Sequence, residues 1–384
     1  MRTILVVGGG YAGFYTAWKL ETKLRRDEAR VVVVDPRPYM TYQPFLPEVL
    51  AGSVEARHAA VSLRRHLRRT RLISGRVTAV DHAHRTATVQ PAEGPGFTLG
   101  YDIIVVTAGA VTRKLAVPGV AEQAIGMKHV EEAVAIRDRL LTAFDRASTL
   151  QPGPRRQRLL TVTFAGGGFS GVEGFSELLS LASSLIRKYP ELKPAELEFH
   201  LVEASDRILP EVSDRPGRWV VRSLESRGAH VHLNARVVSA RDGHVVLSTG
   251  EEFDSNLIVW TVGNDANPMV RSHTDLPIDG HGMLIVRADL RVGTENEPVP
   301  DAWAPATTRR FRTLARAGPA PRRCRTPRTP YGRESSWPGT SWPPSAAGWR
   351  SPTCTTASAR SPHWAWAAAS SSTAASSSRG FRPG

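Results

Sequence analysis

A glycine-rich turn between a buried strand and a helix restricts a chain severely, and this chain carries it twice. Residues 3–7 form a short β-branched apolar run that ends in Gly8-Gly9-Gly10-Tyr11-Ala12-Gly13. Phe14, Ala17, Trp18, Leu20 and Leu24 then recur at helical spacing, and a second apolar run over residues 30–34 ends at Asp35. Strand, glycine turn, helix, strand and acid make a βαβ unit. The plan returns as a strand over 159–165, the turn Gly166-Gly167-Gly168-Phe169-Ser170-Gly171, a helix over 172–186 and a strand over 198–202 that ends at Glu203. Each copy has a downstream partner, an acid, a buried strand and a Thr-x-Gly turn: residues 101–109 match residues 253–263. Duplication of two separate features predicts an α/β chain with two Rossmann-like dinucleotide-binding domains.

The glycine roles are physical. The first permits the tight bend, the second lets backbone approach a pyrophosphate, and the third lets helix and strand pack closely. They fall to Gly8, Gly10 and Gly13, and again to Gly166, Gly168 and Gly171. The helix N-terminus adds unpaired N–H groups and a positive dipole end. Asp35 and Glu203 end the second strands, where a carboxylate can accept from a ribose diol. An acid at Glu203 favours NADH over NADPH, although the nearby Arg207 pulls the other way. Two nucleotide sites imply two cofactors that exchange electrons, a resident flavin and an exchangeable nicotinamide. Glu173, just after the second turn, is the candidate catalytic side chain; a first-turn helix acid favoured by the dipole is the alternative reading.

Composition separates a body from a tail. The formal charge is +14, yet residues 302–384 contain 13 Arg, no Lys and one acid, so residues 1–301 are nearly neutral. The basic balance therefore gives no reason to expect a nucleic-acid partner. The tail lacks Ile and Val and holds six of the nine Trp and both cysteines, Cys324 and Cys354. A body without cysteine fits a reducing compartment, and no metal site is expected. No signal peptide or membrane-length apolar run is read. The basic stretch 57–71 reads as a surface helix with a solvated arginine face rather than a phosphate or nucleic-acid site. Residues 151–158 read as the link between repeats, and 292–300 as a polar loop.

Three stretches resemble the two-dinucleotide-binding-domain flavoproteins, and within them the type II, non-proton-pumping NADH dehydrogenases. They are the run from Val34-Asp35-Pro36 through Tyr42-Gln43-Pro44-Phe45-Leu46-Pro47-Glu48, residues 166–173, and Leu201-Val202-Glu203-Ala204 with Arg207-Ile208-Leu209-Pro210. The resemblance covers residues 1 to about 304. It implies that Gly8, Gly10, Gly13, Asp35 and Arg37 bind FAD, with Tyr42, Gln43 and Pro44 beside the isoalloxazine ring. Val77 would meet the adenine side through its backbone, and Ala108 and Gly109 would close over the cofactor. Gly168, Gly171, Glu173, Glu203 and Gly263 would hold NADH. The implied FAD domain is residues 1–150 and 276–304, interrupted by an NADH domain at 151–275, with an aberrant, disordered tail from 305. The family passes electrons to a membrane quinone from the cytoplasmic face of the plasma membrane as a peripheral protein, and a homodimer is compatible with it. A ferredoxin reductase-like enzyme with a protein acceptor, and an inactive frame-shifted product, are the alternatives. Disulfide reductase and sulfide oxidation chemistry need reactive cysteines that this body lacks.

After Asp301-Ala302-Trp303-Ala304 the family pattern continues with a Gly-Asp pair at the flavin, an Ala-Gln helix at the quinone and amphipathic membrane helices. This chain has Pro305-Ala306-Thr307-Thr308. Read one base earlier, codons for Pro-Ala-Thr-Thr yield Gly-Asp-Asn, and residues 324–341 and 361–379 can likewise yield family-like helix and strand sequence. The tail is therefore expected to be a frame-shifted reading without quinone pocket or anchor, and quinone reduction by the chain as written is expected to be weak or absent.

Overall fold

The computed structural model describes residues 1–113, 116–294, 296–305 and, for the backbone, 309–311. The repeated βαβ plan is present in both copies. The strand Arg2–Val7 leads into the helix Tyr11–Lys23 and the strand Ala29–Asp35, and Thr161–Ala165 leads into Phe169–Leu185 and Glu198–Val202.

In each repeat the glycine-turn strand is central and parallel to both neighbours. Val7 lies opposite Val34 on one side and Val106 on the other. Ala165 lies opposite Val202 and Trp260. The central strands read as continuous apolar runs because both faces are covered. Ile4–Val7 and Val31–Val34 are buried throughout, as is every residue from Thr161 to Ala165. The first sheet extends from Ala29–Asp35 through Arg71–Asp81 to the antiparallel strands Thr86–Pro91 and Phe97–Gly100. On the other side Ile103–Val106 pairs with Pro298–Trp303, which returns late in the chain. The second sheet has the order Ala124–Gly126, Leu257–Trp260, Thr161–Ala165, Glu198–Val202, Ala229–His232. The chain thus contributes a strand to the second sheet well before residue 151.

Three readings are corrected. Residues 57–71 do not form one helix. Ala60–Ser62 pairs with Tyr39–Thr41; Ala56–His58 is a single 3-10 turn, and only Leu63–His66 is α-helical, with Ser62 Oγ accepting from Arg65 N at 3.4 Å. Glu21 Oε1 takes the N–H groups of Arg69 and Thr70 at 2.7 and 2.5 Å, which ends any helical continuation. The link 151–158 contains a helix, Pro154–Leu159, started by Pro at its first position. Arg156, 4% exposed, anchors it to Glu196 Oε2 at 2.7 Å and Leu150 O at 3.1 Å. The loop 292–300 is a hairpin between Arg291–Gly293 and Pro298–Trp303, with the fully buried Val292 outweighing the polar tip. The expectations for the tail beyond residue 311 lie outside the described residues.

A short antiparallel ladder joins the repeats. Asn264–Ala266 pairs with Ala110–Thr112, so each repeat's Thr-x-Gly turn runs directly into the shared ladder. Asn267 Nδ2 donates to Ala108 O at 3.0 Å and strengthens the join.

Candidate functional site: two matched phosphate cradles

The two glycine turns are built from the same bonds. Gly8 N donates to Val34 O at 2.9 Å, and Gly166 N to Val202 O at 2.8 Å. Both residues stand at positive φ, +101° and +107°, which an L side chain rarely adopts. Gly9 N donates to Asp35 Oδ2 at 2.7 Å, and Gly167 N to Glu203 Oε2 at 2.6 Å. The second carboxylate oxygen takes the N–H two residues on, from Arg37 to Asp35 Oδ1 at 2.7 Å and from Ser205 to Glu203 Oε1 at 2.8 Å. The acids therefore fix the turns, and each carboxylate retains lone pairs for a ribose. Burial pushes the Asp35 carboxyl above its ordinary value, opposed by the donors of Arg37 and Gly9.

The third glycine is sterically compulsory. A Cβ at Gly13 would stand 1.8 Å from Gly8 O, and one at Gly171 would stand 1.9 Å from Gly166 O. The middle glycine is the opposite case. A Cβ at Gly10 or at Gly168 meets no atom within 4 Å. Nothing in the protein requires glycine there, whereas a pyrophosphate lying against the helix N-terminus does. The cradles fit the two nucleotides on this ground.

Thr107 and Thr261 belong to this machinery, and the sequence reading assigned them no role. Thr107 Oγ1 donates to Val7 O or Gly8 O, at 2.9 and 2.8 Å. Thr261 Oγ1 stands likewise 2.8 Å from Ala165 O and 3.2 Å from Gly166 O. The signal for them is the repeated Thr-x-Gly turn itself, in which the threonine precedes the glycine in both copies. Gly109 and Gly263 end those turns at φ +69° and +65°, with Ala108 between Thr107 and Gly109.

The remaining candidates stand in surroundings of their own. Arg37 lies 3.5 Å from Glu131 Oε1, which also accepts from Tyr39 OH. Tyr42 N donates to Ala59 O at 2.7 Å, and its ring meets Phe45 edge-on and Tyr11 at 6.2 Å. Gln43 Nε2 reaches Lys128 O at 3.3 Å. Val77 is buried in the strand Arg71–Asp81, paired with Val89 beside a register shift. Arg207 Nη2 donates to Pro210 O and Val212 O, at 2.5 and 3.0 Å.

The helix begins at Phe169, so Glu173 lies beyond its first turn, which corrects the first-turn reading, and its carboxyl is pushed up by burial and by the charge of Glu48. Glu48 ends the Tyr-Gln-Pro-Phe-Leu-Pro-Glu run, and its buried Oε2 has no hydrogen-bond partner. The structure thus brings together two acids that sequence separation hid.

Paired dinucleotide cradles, each on parallel strands of its own sheet, define a nucleotide-dependent oxidoreductase. Residues 2–301 match the family model for pyridine nucleotide-disulphide oxidoreductases, and the chain belongs to that family. It is 28% identical over 296 residues to a probable NADH dehydrogenase of Dictyostelium discoideum, covering 75% of this chain and 64% of the relative. It is 27% identical over 300 residues to the type II NADH:quinone oxidoreductase Ndh of Mycobacterium tuberculosis, again covering 75% and 64%. An external alternative NAD(P)H-ubiquinone oxidoreductase B3 of Arabidopsis thaliana mitochondria is 30% identical over 70% of this chain and 48% of the relative. The chain therefore spans about half to two thirds of the length of these relatives. Among solved structures, NDH2 of Plasmodium falciparum in complex with NADH has a TM-score of 0.74 at 19% identity, covering 81% of this chain and 64% of that one, a likeness of fold.

Proposed function

We propose that this chain carries the catalytic body of an FAD-dependent NADH dehydrogenase that passes two electrons to a membrane quinone without pumping protons. The observation that carries the reading is the matched pair of cradles, each with open space at its middle glycine. The names of the relatives support the choice of NADH and quinone. In this reading Gly8, Gly10, Gly13, Asp35, Arg37, Tyr42, Gln43, Val77, Ala108 and Gly109 hold FAD, and Gly166, Gly168, Gly171, Glu203 and Gly263 hold NADH. The flavin body is residues 1–150 and 276–304 around a nicotinamide body at 151–275, except that the strand Ala124–Gly126, a member of the second sheet, goes with the nicotinamide body.

The flavin, when bound, supplies the redox chemistry, accepting two electrons as hydride and releasing them to the acceptor. The protein supplies position. Backbone N–H groups at the two helix starts anchor the pyrophosphates, and the carboxylates of Asp35 and Glu203 orient the riboses. The ladder 110–112/264–266 sets the two cradles at a fixed spacing. Quinone reduction consumes two protons, and Glu173, its carboxyl held up by burial and Glu48, is placed to hold one. Among the described residues no helix is long and apolar enough to cross a membrane. The reading places the enzyme peripheral to the inner face of the plasma membrane, with surface contact and quinone pocket in the segment that the tail replaces. Homodimer formation is read from mass in solution.

Purification with a flavin absorbance spectrum, anaerobic bleaching by NADH and reoxidation by a menaquinone analogue rather than by a ferredoxin test the reading. The chain as written is expected to bleach but to reduce quinone poorly, and resequencing the gene near codon 305 tests the frame. A colourless protein that takes up no FAD, even with the frame restored, overturns the assignment.

A further inference from the structure

The edge of the second sheet carries histidines where its neighbours carry apolar residues. His200 on Glu198–Val202 lies opposite His230 on Ala229–His232, and Val202 lies opposite His232. The two-residue period of a strand puts His200, Val202, His230 and His232 on one face. Phe199 and Leu201 point the other way, into the main core. The histidine face is covered by the strands Val237–Ser239, His244–Leu247 and Glu252–Asp254, and the Phe253 ring lies 3.8 Å from the His200 ring, centroid to centroid. Val202, Val237, Val245, Leu247 and Ile258 make this interface an apolar core of its own.

Inside it stands a polar chain. His200 Nδ1 is 3.1 Å from His232 Nε2, and His232 Nδ1 is 3.3 Å from Glu251 Oε2. His200 is 4% exposed, and its buried Nε2 has no hydrogen-bond partner. Glu198 Oε2 lies 3.7 Å from that nitrogen. One donor atom from each of His200, His232 and Glu251 lies within 4.8 Å of the other two.

We propose that His200, His232 and Glu251 form a binding site for a divalent transition-metal ion of the zinc class, clipping the sheet edge to the hairpin that covers it. Two imidazoles and a carboxylate are the donor set such ions take, with water completing four-coordination. Three atoms mutually within that limit have a common point no more than about 2.8 Å from each, so modest side-chain rotation brings all three to the ~2.0–2.2 Å of zinc bonds. Binding replaces the His200–His232 hydrogen bond with two bonds to the ion. Ligation through His200 Nδ1 leaves the proton on Nε2, where Glu198 becomes the outer carboxylate that metal-bound histidines commonly have. The sequence reading expected no metal because these ligands are spread over 52 residues of sequence, from 200 to 251, with no motif spacing.

The site also touches the nicotinamide cradle. Glu203 N donates to His232 O at 2.8 Å, and Ala235 N to Glu203 O at 3.0 Å. An ion fixed on His232 therefore stiffens the backbone that carries the second ribose acid.

The full chain with Cys324→Ser and Cys354→Ser, which removes both thiols, is stripped with chelator and titrated with Co²⁺ and then Zn²⁺. The expected result is one equivalent per chain, visible d–d bands of low-coordinate cobalt displaced by zinc, and a higher thermal midpoint with zinc. Glu251→Gln, on a half-exposed side chain, is expected to keep the metal-free midpoint and weaken binding at least tenfold, and His232→Ala to abolish the cobalt bands. Absence of stoichiometric binding, or unchanged cobalt bands in both variants, overturns the site and leaves a hydrogen-bonded chain only. The readout does not depend on NADH or quinone, so its failure leaves the functional proposal standing.

Discussion

The sharpest test of the cradles compares two alanines three residues apart. Gly168 caps the helix Phe169–Leu185 with φ −74° and ψ 178°, a backbone any residue adopts. Its absent Cβ faces no atom within 4 Å. Alanine there loses a few tenths to about 1 kcal/mol of N-cap preference and regains about as much from a stiffer unfolded chain, so stability stays within about 1 kcal/mol. Under the proposed function the new methyl instead occupies the approach of the NADH pyrophosphate. A displacement on the order of 1 Å at a positioned substrate costs on the order of a hundredfold, or about 2.7 kcal/mol. Gly171→Ala is the converse: its Cβ would stand 1.9 Å from Gly166 O and 2.7 Å from Thr261 Oγ1, both held by the strand. The turn must open by more than 1 Å, at a cost of roughly 3 kcal/mol or more, within the range of overpacked cores and strained backbones. Stopped-flow bleaching of the flavin under anaerobic conditions, with thermal unfolding alongside, reads both quantities. Gly168→Ala is expected to raise the NADH concentration for half-maximal bleaching ten- to a hundredfold with a midpoint shifted by less than about 4 °C. Gly171→Ala is expected to lose its midpoint first. Wild-type NADH dependence in Gly168→Ala, or equal unfolding of the two variants, would refute the division of labour among the glycines.

Three further outcomes follow from the same geometry. Thr261→Val removes a hydroxyl donor from the Ala165 and Gly166 carbonyls, and about 1–2 kcal/mol of stability with it; NADH dependence weakens while flavin content, measured by absorbance ratio, is unchanged. Glu48→Gln removes a negative neighbour of Glu173, so the Glu173 carboxyl titrates lower; the limb on which flavin reoxidation is lost as pH rises moves to lower pH, and an unmoved limb contradicts the pairing. Burial lowers Lys128 to about 8. The unfolded chain then binds more protons than the folded one from about pH 8 up to the ordinary lysine range, so stability rises with pH across that window. Lys128→Met removes this rise in urea unfolding, and its partial exposure to water keeps the effect to about 1 kcal/mol.

The central architecture was legible because its signals are local. Gly8–Gly13 and Gly166–Gly171 each combine a buried strand, a bend and a helix start within a dozen residues, and Asp35 and Glu203 sit at the strand ends where the plan requires them. The misread segments were decided by distant partners. Residues 57–71 look helical by spacing, but Glu21 captures two of their N–H groups and Tyr39–Thr41 offers a strand to pair with. The link before residue 160 looks like a loop by composition, yet Arg156 finds Glu196 forty positions later. Glu48 ends a recognisable motif, but its effect on Glu173 depends on the packing of two helices that no period in the sequence encodes. The His200–His232–Glu251 cluster is another contact made only by the fold.

The duplicated turns have a consequence for selectivity. Since Gly8–Gly13 and Gly166–Gly171 use the same bonds, with distances alike to within 0.5 Å, neither socket can tell one diphosphate from the other. Which coenzyme stays and which leaves must be decided above the sockets. Outside the turns, Tyr42 and Phe45 stand by the first, the Tyr42 ring 6.2 Å from that of Tyr11, and Glu173 lies two residues past the second. Exchanging the two hexapeptides should therefore leave each coenzyme at its own address, with retention set by the roof rather than the floor.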